Sequence, residues 1–148
     1  GPLEAARRDL EARRVLFAVG SADLDAAARA ALAAFAPRFE ALRREAEPLG
    51  FDVTLRLVGR TDPAGTEALN RTLSRRRADA VRGALEALGV RAIVAAEARA
   101  ASDPLPGTGE ARARVNRSVS FHVGSPVTTA VATTADVAVP PSVTPRDR

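Results

Sequence analysis

In "GRTDPAGTEALNRTLSRRRADAV", residues Gly59 to Val81, a two-residue repeat gives way to a helical one. The preceding run "DVTLRLV", Asp52 to Val58, alternates strictly. Val53, Leu55 and Leu57 fall on one side and Asp52, Thr54 and Arg56 on the other, the signature of a strand with one wet face. "GRTDPAG" has the Pro and Gly of a turn. From about Thr66 to Leu88 the apolar spacing becomes helical, and Gly89 is a natural C-terminal cap. The stretch is thus a strand exit, a turn and a helix start.

The arginines in that helix are not equivalent. On a wheel at about 100° per residue, Leu69, Leu73, Ala80, Val81, Ala84, Leu85 and Leu88 define an apolar arc. Arg71, Arg75 and Arg82 lie opposite, Arg76 near an edge, and Arg77 close to the centre, with Asn70 and Ser74 in its sector. Arg75 therefore reads as a solvated surface charge. A guanidinium at the position of Arg77 must snorkel out or be paired and hydrogen-bonded. The nearest anion in sequence is Asp62, in the turn before the helix. Two arrangements remain open: an internal Asp62–Arg77 salt bridge fixing the turn, or a shallow pocket where both charges face a ligand. The second would suit a group carrying an amine for the aspartate and a carboxylate for the planar arginine fork.

Outward from this centre, "RVLFAV", Arg14 to Val19, is β-prone and stops at Gly20. A long helical pattern follows, with Leu24, Ala28, Ala31, Phe35, Phe39, Leu42 and Leu49 on one face. Ser21 or Asp23 is its expected cap. Pro37 is expected to kink or divide it, and Pro48 with Gly50 ends it. "RAIVAAEA" reads as a third strand, "ASDPLPGTGE" (residues 101–110) as a loop, and "NRSVSFHV" (residues 116–123) as an alternating last strand. The order predicts an α+β fold, a two-layer α/β sandwich. It has a mixed sheet of about four strands and two main helices on one face. Residues 13–123 form the expected domain. Residues 1–12 are charged and helix-favouring, the end of an upstream helix or linker. Their opening "GPL" resembles a protease-cleavage scar, which implies excision from a longer protein. Residues 124–148 are rich in Pro, Thr and Ala and read as a tail, disordered or laid along the surface, with an edge strand as the alternative.

Composition limits the chemistry. The 148 residues suit one domain. All 22 basic residues are arginine, yet the net charge of +4 is modest and spread along the chain. That spread, with five Phe and no Trp or Tyr, argues against nucleic acid as a partner. The absence of Cys removes disulfides, thiolate metal sites and a Cys nucleophile. A single histidine, His122, leaves no zinc cluster and no Ser-His-Asp set. No catalytic residue, metal or cofactor is expected, and the chain reads as a binding module, not an enzyme.

The spaced pattern resembles the peptidoglycan-associating OmpA-like domain of outer-membrane porins, Pal-type lipoproteins and MotB-type stators. Gly59, Thr61, Asp62, Gly65, Asn70, Leu73, Ser74, Arg77, Ala78 and Val81 match its central motif, and Asn116, Arg117 and Val119 its last strand. "VLFAVGSADL" is similar to its opening strand and turn, with Phe17 at the aromatic position. The resemblance covers about residues 13–123. It implies non-covalent binding of the peptidoglycan stem peptide, with Asp62 and Arg77 holding diaminopimelate, Thr61 and Asn70 supporting by hydrogen bonds, and Leu73 as a wall. It also implies a periplasmic or envelope location, an upstream membrane anchor or barrel in the parent chain, and compatibility with a homodimer. Three departures stand out: Arg60 where His or Asn is common, Ser118 where a second Arg is expected, and no glycine-rich turn in "AEARAASDP". The first two motivate an alternative, a diverged OmpA-like domain serving as a protein-interaction or assembly module.

Overall fold

The alternation of Leu55 and Leu57 with Arg56 builds the central strand of the sheet. The computed structural model describes residues 1–125, so the expected tail lies, apart from Gly124 and Ser125, outside the described residues. The order is α1 (Pro2–Glu11), β1 (Arg14–Leu16), α2 (Ala26–Ala46) with a 3₁₀ turn (Glu47–Leu49), β2 (Thr54–Arg60), α3 (Glu67–Ala87), β3 (Ile93–Ala100), α4 (Gly109–Val115) and β4 (Ser118–Gly124). The four strands lie in the order β1-β4-β2-β3. β4 runs antiparallel to both neighbours, and β2 and β3 are parallel. This is the mixed-sheet α/β sandwich expected from the pattern.

The core lies between one sheet face and helices α2 and α3. Leu55 and Leu57 of β2 join Val119, Phe121 and Val123 of β4 there, as the alternation requires. Phe35 of α2 stacks on Phe121 with ring centroids 4.0 Å apart and planes 22° from parallel, a contact between two large buried side chains at the centre of the core. Helix α1 adds Leu10 to the same core, and its Glu11 accepts the backbone N–H of Val123 at 2.8 Å.

Several local expectations are corrected. Asp25, rather than Ser21 or Asp23, caps α2, accepting the Ala28 N–H at 2.8 Å. Ser21 is occupied one turn earlier by the Asp23 N–H. Pro37 does not divide α2, which runs unbroken through it; the buried side chains on either side, Phe35, Ala36 and Phe39, hold both halves on the sheet. Leu32 takes the core position expected of Ala31, and Leu49 is exposed in the 3₁₀ turn. The expected 101–110 loop ends two residues early, where α4 (Gly109–Val115) begins, with the Asn116 amide hydrogen-bonded to both backbone groups of Leu105 and to the Arg112 carbonyl.

The seat of α3 on the sheet matters most for the site. A Cβ at Gly59 would lie 2.1 Å from the Ser74 carbonyl oxygen. Only glycine there, with small Ser74 and Ala78 above it, lets the helix come so close. The buried stripe is consequently Asn70, Ser74, Arg77, Ala78, Val81 and Leu85. Leu69 and Leu88, expected in the apolar arc, are exposed; with Ser74 against β2, Leu69 lies about 140° round the helix from it, and Leu88 is the C-cap at the helix end.

Candidate functional site

The site forms where β2 ends. Asp62 accepts the Ala64 N–H at 3.0 Å through Oδ1, a local turn that reverses the chain. Gly65 takes φ 87°, and Thr66 then caps α3 by accepting the Leu69 N–H at 3.1 Å. The exit of β3 supports this turn from the side. Ala100 adopts φ 51°, a conformation costly for a residue with a Cβ. There its carbonyl accepts the Thr61 N–H at 2.9 Å and its own N–H reaches Ser74 Oγ at 3.1 Å. Ala100 occupies the strand exit where the expected glycine-rich turn is missing.

All five residues singled out from the sequence, Thr61, Asp62, Asn70, Leu73 and Arg77, lie in the wall of one cavity of about 470 Å³. Val19 and Leu69, 74% and 66% exposed, stand in the same wall. Leu73 is half-buried, while Thr61 and Asn70 are buried.

Arg77 is fully buried, as its place on the apolar arc requires, but it does not pair with Asp62. Its Nε donates to the Ser21 carbonyl at 2.8 Å, Nη1 to Arg60 at 2.9 Å and Nη2 to Ala18 at 3.1 Å. The guanidinium also lies 5.3 Å from the centre of the Phe17 ring, within cation–π range. One side chain thus ties the β1–α2 connection to the end of β2. Burial lowers its pKa to about 10, against the stabilising charge of Asp62, so it remains a cation at neutral pH.

The internal Asp62–Arg77 salt bridge is therefore not what the fold builds. Asp62 Oδ2 instead accepts from Arg117 Nη1 at 3.1 Å, and Arg117 Nη2 donates to Glu110 of α4 at 2.9 Å. These carboxylates raise the Arg117 pKa. Arg117 lines the cavity and was not nominated as a site residue. Its position in "NRSV" beside the last strand was the available signal. Among the described residues, its Nε and the Thr61 hydroxyl are buried with no hydrogen-bond partner.

Arg60 and Ser118 lie outside this wall. They sit directly opposite each other across the β2–β4 ladder, on the face away from α2 and α3. Arg60 is buried and donates to Ser120 Oγ at 2.6 Å and to the Asp103 carbonyl at 2.7 Å. Two of the departures from the expected pattern are thus neighbours: a guanidinium on β2 faces a serine on β4. Arg75 remains exposed but also donates to the Ala96 carbonyl of edge strand β3. His122 is exposed, on the same face of β4 as Ser120. Among the described residues no group of three His, Cys, Asp or Glu side chains is placed to hold a metal ion, and no helix is long and apolar enough to cross a membrane.

A family model described as OmpA family matches residues 16–118. Among solved structures, the chain is similar to the peptidoglycan-associated lipoprotein from Burkholderia pseudomallei, at 27% identity over 76% of this chain and 90% of that one, with a TM-score of 0.60. It is similar to the cell wall anchor of the T6SS from Pseudomonas aeruginosa, at 27% identity over 73% of each chain, with a TM-score of 0.50. The C-terminal domain of Helicobacter pylori MotB shares the fold at 15% identity, over 82% of this chain and 91% of that one, with a TM-score of 0.64. No curated protein matches the sequence significantly.

Proposed function

The chain belongs to the OmpA family, and on that premise we propose that it is a peptidoglycan-binding module which tethers a parent envelope protein to the cell wall. The ligand is the stem peptide, and the cavity seats its diaminopimelate side chain between Asp62 and Arg77. Thr61 and Asn70 support the bound group, and Leu73 walls it. The reading places the chain in the periplasm, with a membrane anchor or barrel in the parent protein. The module binds and does no chemistry.

The observation that carries this reading is the cavity itself. A carboxylate and a buried guanidinium stand in one wall without being bonded to each other. A closed Asp62–Arg77 bridge would turn both charges on each other; here Arg117 holds Asp62 and neutral carbonyls hold Arg77, so a zwitterion in the cavity would meet a charge of each sign. The resemblance to a peptidoglycan-associated lipoprotein and to a cell wall anchor, each 27% identical, supports the same ligand class.

The test is co-sedimentation with purified diaminopimelate-type sacculi. The wild-type chain and Arg75→Ala are expected to pellet equally, while Asp62→Ala stays in the supernatant. Equal loss from Arg75→Ala would mean attraction by bulk charge. No pelleting by the folded wild-type chain would favour an assembly module.

A further inference from the structure

The wall of the cavity is electrostatically unbalanced. Among the described residues in it, Arg76, Arg77 and Arg117 contribute three guanidinium groups and Asp62 the one carboxylate, with Glu110, outside the wall, pairing Arg117. The Asp62 carboxylate is already engaged, by Arg117 on Oδ2 and by the Ala64 N–H on Oδ1. An ammonium approaching Asp62 must share it with a resident arginine. A carboxylate in the cavity meets Arg77, fully buried in the wall, in a different situation. The three acceptors on Arg77 are neutral backbone carbonyls, which occupy N–H groups without cancelling the charge. Arg76 stands exposed in the same wall. The exposed side chains of Val19 and Leu69 border the cavity, so a bound ligand would be partly shielded from water, where charge-assisted bonds count for more.

We propose that the cavity selects its ligand chiefly by a free carboxylate, the ammonium contributing less, so that conversion of this carboxylate to a primary carboxamide switches binding off. The inference rests on the reading that a diaminopimelate side chain enters this cavity. A guanidinium only donates hydrogen bonds. A carboxylate offers it two accepting oxygens and a full charge. A carboxamide of the same shape is neutral, and its NH₂ faces donors with a donor. Amidation of the cell-wall peptide would then act as a chemical off-signal for attachment.

The experiment is isothermal titration of the 148-residue chain with four synthetic stem tripeptides. The third residue is meso-diaminopimelate, its side-chain carboxamide, lysine (carboxylate removed), or 2-aminopimelate (side-chain amine removed, carboxylate kept). The carboxamide and lysine peptides are expected to bind at least about 10-fold more weakly than the parent, and the 2-aminopimelate peptide less than about 5-fold more weakly. Arg76→Gln, at an exposed position, is expected to narrow the ratio between parent and carboxamide. The inference is overturned, with the peptidoglycan reading intact, if the parent binds and the carboxamide binds within about 3-fold of it. It is equally overturned if loss of the amine costs more than amidation, or if Arg76→Gln leaves the ratio unchanged. Failure of the parent peptide to bind overturns both readings together.

Discussion

Replacing Arg77 by alanine tests whether this residue is primarily a structural tie. The side chain is fully buried and donates three charge-assisted hydrogen bonds to carbonyls of Ala18, Ser21 and Arg60. The Arg60 carbonyl is the most enclosed, and stranding it costs about 1–3 kcal/mol. The bonds to Ala18 and Ser21 lie nearer the cavity, where water can enter after truncation, so each loss costs about 1 kcal/mol. Removing the buried charge returns part of the sum by relieving its desolvation. The net expectation is a destabilisation of about 3 kcal/mol, a large share of the ~5–15 kcal/mol typical of a domain. At this size the melting temperature should fall by roughly 10–15 °C. The measurement is urea unfolding followed by far-UV circular dichroism, with the m-value compared to wild type. A loss under about 1 kcal/mol at unchanged m would refute the argument, since the three bonds would then contribute nothing net. Arg77→Lys should be intermediate, because one ammonium cannot span carbonyls from two separate segments as the fork does. A failure of Arg77→Ala to bind sacculi therefore reports fold as well as contact. Asp62→Asn, which keeps the shape of the turn, isolates the contact better.

Gly59→Ala should destabilise by about 2 kcal/mol or more, because its Cβ meets the Ser74 carbonyl at 2.1 Å and backbone must move. A melting temperature equal to wild type would show that α3 is not seated as described. Thr66→Ala removes the cap of α3 and should cost about 1 kcal/mol in the same assay; no change would mean the turn, not the cap, holds the helix start. Arg60→Ser should cost about 2 kcal/mol by freeing Asp103 and Ser120, and a cost that is not partly recovered in Arg60→Ser/Ser118→Arg would sink the idea that the guanidinium can be carried by either strand. The chain has no Lys, Tyr or Cys, so side-chain titrations between pH 9 and 11 are nearly empty. Carbon-13 spectra of the arginine Cζ atoms should show one resonance moving near pH 10, the value to which burial lowers Arg77. An unfolded arginine stays protonated beyond that, so above about pH 10 the unfolded chain holds more protons and this group adds stability as pH rises. No moving resonance below pH 11 would refute it.

Much of the fold was legible because it is local. Strict alternation in "DVTLRLV" and "NRSVSFHV" placed Leu55, Leu57, Val119 and Phe121 on the core face, where they lie. The wheel placed Arg77 among buried positions, and it is buried. The wheel failed for Leu69 because the phase of a seated helix is set by its closest contact, at Gly59 and Ser74, and for Leu88 because that residue is the C-cap, beyond the last turn of the helix. The short helix α4 escaped notice because its seven residues are too few for a periodic apolar face. The cap of α2 was misplaced by two to four residues, since Ser21, Asp23 and Asp25 can all accept an N–H and only the path of the chain chooses among them.

The site divides along the same line. Asp62 and Arg77 could be nominated from sequence, because a charge on an apolar arc and an acid in a turn are properties of single elements. Their partners could not. Arg117 lies 55 positions beyond Asp62, and β4 brings it alongside only because Arg60 and Ser118 pair across the ladder. Two of the three carbonyls that hold Arg77 belong to a turn 56 to 59 residues away. Periodicity states which way a side chain leaves its own backbone. What it meets there is set by the strand order and by how closely α3 rests on β2. Those tertiary facts turned a nominal ion pair into an arginine spent on the backbone and an aspartate held by another strand, with an open cavity between them.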